Sequence, residues 1–214
     1  MDSLEDAILD RAARSGIELS PAAGRALAAH VRAVLAENPV LHLTTIVEPR
    51  EFVERHLGEG FEGAALIEPD ASGVLLDLGS GNGYPGIPIA AARPGLHATL
   101  VEASAKKARF LRQVIERSPF HEASVVERSV RRAADLADVA PIRVLTARAL
   151  GSWEKILPSV AAALDDDGRL LLWAGGTVET VSRRAVWVRH LELLSRHPLP
   201  GRERSWVWVF RKRA

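Results

Sequence analysis

The sequence predicts an α/β protein built on a mostly parallel sheet, with helices placed before the sheet begins. The first observation is that short apolar strands alternate with helices from Val74 onward, which is typical of parallel sheets. The second is the glycine-rich stretch "LGSGNGYPG" directly after the first of these strands. The third is that residues 1–57 show helical patterns only, so we expect a helical extension over 1–72 and a sheet domain over 73–214.

The amino-terminal part carries ordinary helix signals. Apolar residues with helical spacing begin at Leu4, and a second helix opens with Ser20 as N-cap and Pro21 in its first turn. We expect this second helix to end at Asn38-Pro39 and a short helix to follow in "EPREFVERHL". Residues 58–73 are rich in glycine and are expected to form a loose connection to the sheet.

Strand and helix patterns then alternate along the rest of the chain. The predicted helices are 85–92, 104–117, 152–164 and one beginning near Thr177. The predicted strands are 74–78, 97–102, 123–127, 142–147, 169–174, 190–199 and 205–213, with a turn at Asp167-Gly168 before the fifth. The last two strands form a predicted hairpin, which indicates an antiparallel strand at that edge of the sheet.

Composition limits the class of protein. A chain of 214 residues with 47% apolar residues suits one domain with a modest extension. It contains no cysteine, which excludes disulfides, thiolate zinc sites and cysteine nucleophiles. The acidic amino terminus does not resemble a signal peptide, and no apolar run is long enough for a membrane helix. We therefore expect a cytoplasmic protein without a metal site or membrane association, and we expect a monomer.

Positive charge is concentrated although the net charge is only +1. Residues 181–214 contain nine Lys or Arg against two Glu, and further basic groups lie at 106–112 and 128–132. Each cluster alone is equally well read as a solvated surface. Together they favour a polyanionic partner.

The glycine loop indicates a nucleotide-like ligand. Glycines after a strand allow positive φ and bring bare backbone close to a ligand, and Pro85 can start the following helix. Gly81, Gly83 and Gly86 satisfy G-x-G-x-x-G, the dinucleotide fingerprint, so a nicotinamide enzyme is one alternative. Glu102 ends the second strand and can accept hydrogen bonds from a ribose diol in either case.

Asp77, at the end of the first strand, favours a different cofactor over a nicotinamide dinucleotide. Asp77-x-Gly79-x-Gly81-x-Gly83 resembles motif I of the class I S-adenosylmethionine (SAM) methyltransferases. That resemblance implies SAM as the cofactor and a Rossmann-like fold, with a mostly parallel seven-stranded sheet and one antiparallel edge strand.

A narrower resemblance covers roughly residues 40–175. The segment "LDLGSGNGYPGIPIAAARPGLHATLVEASAKKARFLRQV" is similar to the bacterial 16S ribosomal RNA guanine-N7 methyltransferases, and P-G-I-P is not general among SAM enzymes. The upstream "LHLTTIVEPREFVERHL" and the later "TARA" are also similar to segments of that family. The sequence is thus identified as a diverged member of it.

The resemblance implies roles for particular residues. The SAM-binding positions would be Gly79, Gly81, Tyr84, Glu102, Ser129, Val130 and Arg148, with Glu102 on the ribose and Ser129-Val130 beside the adenine. The RNA-binding positions would be Arg55, His56, Lys106, Lys107 and Arg148. Tyr84, Arg148 and Trp153 are candidates for holding the target base, although Trp153 fits a core position equally well, as His56 fits a partly buried one. No catalytic residue is implied, because guanine N7 carries a lone pair without a proton.

Other acceptors fit less well. Methylation at C5 of a pyrimidine usually needs a cysteine nucleophile, and the Asn-Pro-Pro-Tyr or Asp-Pro-Pro-Tyr motif of adenine amino methylation is absent from the sequence. The expected partner is therefore 16S rRNA or the small ribosomal subunit.

The sequence departs from the family on its substrate side. His42 replaces an asparagine, residues 58–61 replace an [LI]-D-S-L segment, and Val130 replaces an acid. A lysine expected after the last central strand is missing at Gly175-Gly176, and Arg183 or Arg184 would have to replace it. A SAM methyltransferase with another substrate, or a SAM- or RNA-binding module with little catalysis, remains an alternative.

Overall fold

The computed structural model of the chain describes residues 3–116 and 123–213. The helices are α1 (Leu4–Arg14), α2 (Pro21–Leu41), α3 (Pro49–Phe52), α4 (Gly58–Ala64), α5 (Gly86–Ala92), α6 (Ala105–Glu116), α7 (Trp153–Val160), α8 (Thr177–Val181) and α9 (Ala185–His190). A π-helical turn, Val53–Leu57, joins α3 to α4, and 3₁₀ turns lie at Ala133–Leu136 and Ala161–Ala163. The strands are β1 (Gly73–Leu78), β2 (Leu96–Glu102), β3 (Ser124–Glu127), β4 (Ile142–Arg148), β5 (Leu164–Gly175), β6 (Leu191–Pro198) and β7 (Ser205–Lys212). Arg117, the predicted end of α6, lies outside the described residues.

The predicted helix starts are confirmed by their caps. The Ser3 side chain accepts a hydrogen bond from the Asp6 N–H, and the Ser20 side chain accepts one from Ala23 at 3.1 Å. The predicted end of α2 at Asn38-Pro39 is wrong, because the helix continues to Leu41. The missing N–H of Pro39 does not prevent the last helical turn. The helix ends at the following His42, which takes a left-handed conformation (φ 48°).

The sheet has seven strands in the order β3-β2-β1-β4-β5-β7-β6. Strands β1 to β5 pair in parallel, and β7 pairs antiparallel with both of its neighbours. The predicted mostly parallel seven-stranded sheet with an antiparallel strand at this edge is confirmed, with β7 next to the outermost strand β6. The predicted turn at Asp167-Gly168 lies instead inside β5, where the pairing with β4 is irregular.

The sheet separates two apolar clusters, which makes three layers. Successive residues of a strand face opposite sides, so Leu75 joins the cluster beneath α1 to α6 and Leu76 joins the cluster beneath α7 to α9. The first cluster contains residues of the amino-terminal helices, such as Phe52 and Phe61, together with residues of the sheet. The helical extension therefore shares its apolar core with the sheet.

Residues 58–64 are not the loose connection that their glycines predicted. They form α4, which is buried except at Glu62. A Cβ added at Gly60 would stand 2.4 Å from Pro88 Cγ, and one added at Gly63 would stand 2.3 Å from Trp173 Cζ2. The glycines therefore serve close packing of α4 against α5 and the sheet, for which sequence pattern gives no signal.

The order of the strands indicates which edge of the sheet binds a ligand. Strand β1 is flanked by β2 on one side and β4 on the other, so the connections leave in opposite directions at this point. Ligands of open α/β sheets bind at such a switch point, beyond the carboxyl ends of the strands. None of the helices in the described ranges is long and apolar enough to cross a membrane.

Candidate functional site

The glycine loop follows β1 at the switch point. Gly79, Gly81 and Gly83 have φ values of 78°, 57° and 91°, which side chains other than glycine rarely adopt. A Cβ added at Gly81 would meet nothing closer than 3.9 Å, so bare backbone borders open space there. This cradle fits the backbone approach to a cofactor that the sequence predicted.

Asp77 supports the loop from beneath. Its carboxylate accepts hydrogen bonds from the Thr146 hydroxyl at 2.7 Å and the Gly86 N–H at 3.3 Å, which ties β1 to β4 and to the start of α5. Asp77 is only 1% exposed, and this burial raises the pKa of its carboxyl to about 6. The side chain therefore fixes the loop rather than facing solvent.

Glu102 lies at the end of β2, next to the loop. Its two carboxylate oxygens accept hydrogen bonds from the Gly81 N–H at 2.9 Å and the Ser104 N–H at 2.7 Å. The side chain is only half-buried, so lone pairs remain for a further donor. The structure thus brings Gly79, Gly81 and Glu102 together, as a site for a ribose diol requires.

Ser129 and Val130 follow β3 at the same edge. The preceding Arg128 donates its N–H to the Glu102 carbonyl at 3.1 Å, which holds this segment beside the end of β2. Ser129 is exposed, whereas Val130 is buried in the second apolar cluster. The Val130 side chain offers a ligand apolar contact, the Ser129 side chain beside it is exposed, and no acid occupies position 130.

Tyr84 lies differently from its expected position at the binding surface. The ring is 3% exposed and stacks on His30 with centroids 4.8 Å apart, while Phe52 packs edge-on against it. The side chain is therefore inserted among the amino-terminal helices, where it cannot stack on an RNA base. Its buried hydroxyl has no hydrogen-bond partner.

Arg148 is the last residue of β4, two positions after Thr146 in the same strand. Its guanidinium donates to Nδ1 of His56 and forms an ion pair with Glu59 at 3.1 Å. Arg148 therefore lies at the ligand edge of the sheet, as expected, and contacts two residues of the amino-terminal helical part. The spacing of these residues along the chain does not predict either contact.

His56 is buried beneath Arg148 and does not lie on the surface as an RNA contact would. Because Arg148 donates to Nδ1, we assign the ring proton to Nε2, which then donates to the Thr44 hydroxyl at 2.7 Å. Burial, followed by the Arg148 charge, lowers the pKa of His56 from 6.5 to about 3. His56 is therefore neutral at physiological pH and positions Arg148.

The other predicted RNA contacts lie on the surface. Arg55 is exposed, pairs with Glu51 at 3.2 Å and borders a cleft described below. Lys106 is exposed and Lys107 half-buried in the first turn of α6, on the side of the glycine loop. Trp153 packs edge-on against Trp187 with centroids 5.6 Å apart, which favours a core role over base stacking.

Arg183 and Arg184 do not replace the missing lysine in this structure. Arg183 pairs with Glu179 at 3.3 Å and Arg184 with Glu154 at 3.7 Å, on the opposite face of the sheet from α4. The cation near Arg148 is Arg202, in the connection between β6 and β7, which contacts Glu59 at 2.6 Å. The sequence signalled Arg202 only through the general excess of basic residues after Val181.

The described residues contain no group of three or more His, Cys, Asp or Glu side chains placed to hold a metal ion. The arrangement is instead a backbone cradle, a carboxylate beside it, and Arg148 at the end of the adjacent strand β4, linked through Glu59 to Arg202. These features suit a nucleoside-containing cofactor and an anionic second substrate.

Solved structures share the fold at low sequence identity. The glycopeptide N-methyltransferase MtfA, solved in complex with (S)-adenosyl-L-methionine, has a TM-score of 0.59 and 14% identity, covering 73% of this chain and 93% of that one. A predicted O-methyltransferase from Agrobacterium tumefaciens has a TM-score of 0.56 and 23% identity, covering 70% and 77%. The predicted class I SAM-methyltransferase fold is confirmed.

Related sequences are closer. The ribosomal RNA small subunit methyltransferase G of Xanthomonas axonopodis pv. citri is 42% identical over 138 residues, which are 64% of this chain and 62% of that protein. The protein of the same name from Sorangium cellulosum is 33% identical over 180 residues, 84% of this chain and 75% of its own length. Residues 24–190 match the family described as rRNA small subunit methyltransferase G. This chain, with its glycine cradle, Glu102 and Arg148 in place, belongs to that family.

Proposed function

We propose that the protein transfers a methyl group from SAM to N7 of a guanine in 16S rRNA. The observation that carries the proposal is the glycine cradle of a chain that belongs to this family: Gly81, which borders open space, donates its N–H to the carboxylate of Glu102. The named relatives are ribosomal RNA methyltransferases, which supports RNA as the second substrate. Such a substrate implies a cytoplasmic location.

The residues present fit SAM, because the backbone at Gly81 borders open space beside the carboxylate of Glu102. Glu102 would accept hydrogen bonds from the ribose hydroxyls, and the backbone at Gly79 and Gly81 would approach the methionine part. Val130 would offer apolar contact beside the adenine. SAM supplies a methyl group that its sulfonium already activates.

The chain itself has little chemistry to perform. Guanine N7 has a lone pair and no proton at neutral pH, so no side chain has to act as a base. What remains is alignment of N7 with the methyl group, an effect that contributes about 7–11 kcal/mol in well-oriented reactions. Arg148, held by neutral His56 at the end of β4, would orient the RNA.

The test is methyl transfer from tritiated SAM to small ribosomal particles. Particles from a strain that lacks the endogenous enzyme should gain label as 7-methylguanosine after nucleoside digestion. Particles from the parent strain, which are already methylated, should gain none. Cofactor binding without label in RNA would overturn the proposal and favour another acceptor, or a binding module with little catalysis.

A further inference from the structure

A cleft of about 470 Å³ lies between the amino-terminal helices and the connection from β6 to β7. We call it the arginine cleft, and it is lined by Arg11, Arg14, Glu54, Arg55, Glu59, Glu62, Leu199, Pro200, Gly201 and Arg202. Its volume falls within the range of small-ligand sites, of roughly 300–1,000 Å³. It therefore has room for a nucleotide unit.

Glu59 lies at the inner end of this cleft and is clamped by two arginines. Its side chain is 8% exposed, and its carboxylate contacts Arg148 at 3.1 Å and Arg202 at 2.6 Å. The three residues come from α4, from the end of β4 and from the β6–β7 connection. The cluster thus joins the arginine cleft to the edge of the sheet that carries the glycine loop.

The cluster has more positive than negative charge. One carboxylate faces two guanidinium groups, and His56 adds a neutral ring on the far side of Arg148. The neighbouring acids are engaged elsewhere, because Glu54 and Glu62 both pair with Arg11, at 3.5 Å and 3.0 Å. An anion at the cluster would therefore meet two guanidinium groups and one contacting carboxylate, with the buried carboxylate of Asp77 also within electrostatic reach of Arg148.

Hydrogen bonding within the cluster is incomplete. Nη1 of Arg148, Nε of Arg202 and Oε1 of Glu59 are all buried without a hydrogen-bond partner of good geometry, although both arginines form ion pairs with Glu59. The unsatisfied donors therefore outnumber the unsatisfied acceptor. Buried unsatisfied donors are destabilising, and guanidinium groups bind phosphate oxygens strongly. Unsatisfied N–H groups beside a cleft are what a phosphate-binding site provides.

We propose that Arg202 receives a backbone phosphate of the substrate RNA at the inner end of the arginine cleft, with the charge of the neighbouring Arg148 behind it and with Glu59 as the positioning residue that holds both guanidinium groups. Arg202 is a third exposed and so reaches the cleft, whereas Arg148 is anchored on its other side by His56. The assignment rests on the proposed function, since it names the surface on which the RNA of that reaction is held.

The experiment measures steady-state methylation of undermethylated small ribosomal particles at several salt concentrations. Arg202→Ala should raise the KM for particles about tenfold while kcat and the SAM dissociation constant stay within about twofold of wild type. The slope of log KM against log salt should fall by about one, as expected for one lost phosphate contact. Arg202→Lys should recover part of the loss because it keeps the charge.

Glu59 is tested by variants of similar size. Glu59→Gln removes the charge that holds both arginines and should raise the particle KM about as much as Arg202→Ala does. Glu59→Asp keeps the charge and should lie between Glu59→Gln and wild type. The matched control is Arg211→Ala, because Arg211 is an exposed arginine of β7 that pairs with Glu192 at 2.9 Å. It should leave KM and the salt slope unchanged.

The outcomes separate this assignment from the proposed function. Normal methylation with an unchanged particle KM and salt slope in Arg202→Ala would overturn the phosphate site and leave the reaction intact. Weaker SAM binding with unchanged particle KM would show that the anion is the cofactor carboxylate, which also overturns it. If wild type transfers no methyl group, equilibrium binding of labelled 16S rRNA to the same variants decides. Equal affinities overturn the assignment, and weaker binding by Arg202→Ala and Glu59→Gln, with Arg211→Ala like wild type, supports it.

Discussion

At the scale of single residues, Asp77 and Glu102 share a chemistry but lie in opposite environments. Asp77 is sealed under the loop, where burial opposes its charge, and Glu102 is half-exposed with two backbone N–H donors on its carboxylate. The first carboxylate is therefore structural and titrates near neutrality. The second is arranged to stay available to a ligand.

The burial of Asp77 predicts a pH-dependent stability. Its folded pKa of about 6 lies above its ordinary value of 3.8, so its contribution to stability is fully present below pH 3.8 and is lost as pH rises through 6. The loss amounts to roughly 3 kcal/mol, from about 1.4 kcal/mol per pKa unit. Urea unfolding of wild type and Asp77→Asn between pH 4 and 7 should show this difference in slope. Parallel pH profiles for the two proteins would contradict it.

Substitution of Glu102 should weaken SAM binding, whereas the same substitution at Glu127 should not. Glu102→Gln can accept only one of the two backbone hydrogen bonds and loses its charge, so SAM affinity should fall about tenfold or more. The control is Glu127→Gln, because Glu127 occupies the paired position at the end of β3 but is exposed and bound to Arg112. Isothermal titration with SAM should separate the two variants, and equal affinities would refute the assignment of Glu102.

At the scale of elements, α4 determines how the helical extension meets the sheet. Gly58, Gly60 and Gly63 lie against Arg11, Pro88 and Trp173 at distances that leave no room for a Cβ. The Trp173 indole donates to the Glu59 carbonyl at 3.1 Å, which adds a polar contact to this packing. The placement of Glu59 beside Arg148 therefore depends on glycine at these positions.

Because α4 packs so closely, one added methyl group at Gly63 should lower the stability of the protein. Gly63→Ala would place its Cβ 2.3 Å from Trp173, so the free energy of unfolding should fall by about 1–3 kcal/mol through overpacking. Gly151→Ala is the matched control, since a Cβ there meets nothing within 4 Å and should have little effect. Denaturant unfolding of both variants provides the measurement, and a neutral Gly63→Ala would show that α4 can shift freely.

At the scale of the whole molecule, a single apolar cluster links the extension to the sheet. It runs from Ile8 and Val31 through Phe61 to Leu75 and Trp173. The boundary near residue 72 is a change of secondary structure along the chain, and the core continues across it. We therefore propose that residues 3–72 fold together with the sheet.

Shared packing predicts one cooperative unfolding transition. Far-ultraviolet circular dichroism and tryptophan fluorescence should give the same midpoint, since helices on both faces and the core tryptophans would be lost together. SAM at one hundred times its dissociation constant should stabilise the whole protein by about 2.7 kcal/mol. Loss of helical signal at a lower denaturant concentration than the fluorescence change would show that the extension unfolds separately.

Local chemistry explains why much of this protein was predictable from sequence. Ser20 and Pro21 begin a helix wherever they meet a suitable apolar pattern, and Asp77 with the three loop glycines requires a strand, a tight turn and a helix in that order. These predictions from near neighbours were confirmed. Two others were wrong: the helix continues past Asn38-Pro39 to Leu41, because a missing proline N–H near its end is tolerated, and Asp167-Gly168 lies inside β5 and does not form a turn before it.

The sequence by itself determined the fold class, the cofactor cradle and the family, because strand alternation, glycine spacing and a strand-end acid are encoded within a few residues of one another. Only the tertiary structure decided which charges meet. Glu59, Arg148 and Arg202 are far apart along the chain, and they converge because α4 packs against the sheet next to the β6–β7 connection. Burial, likewise a property of the folded chain, turned Tyr84 and His56 from surface candidates into internal supports.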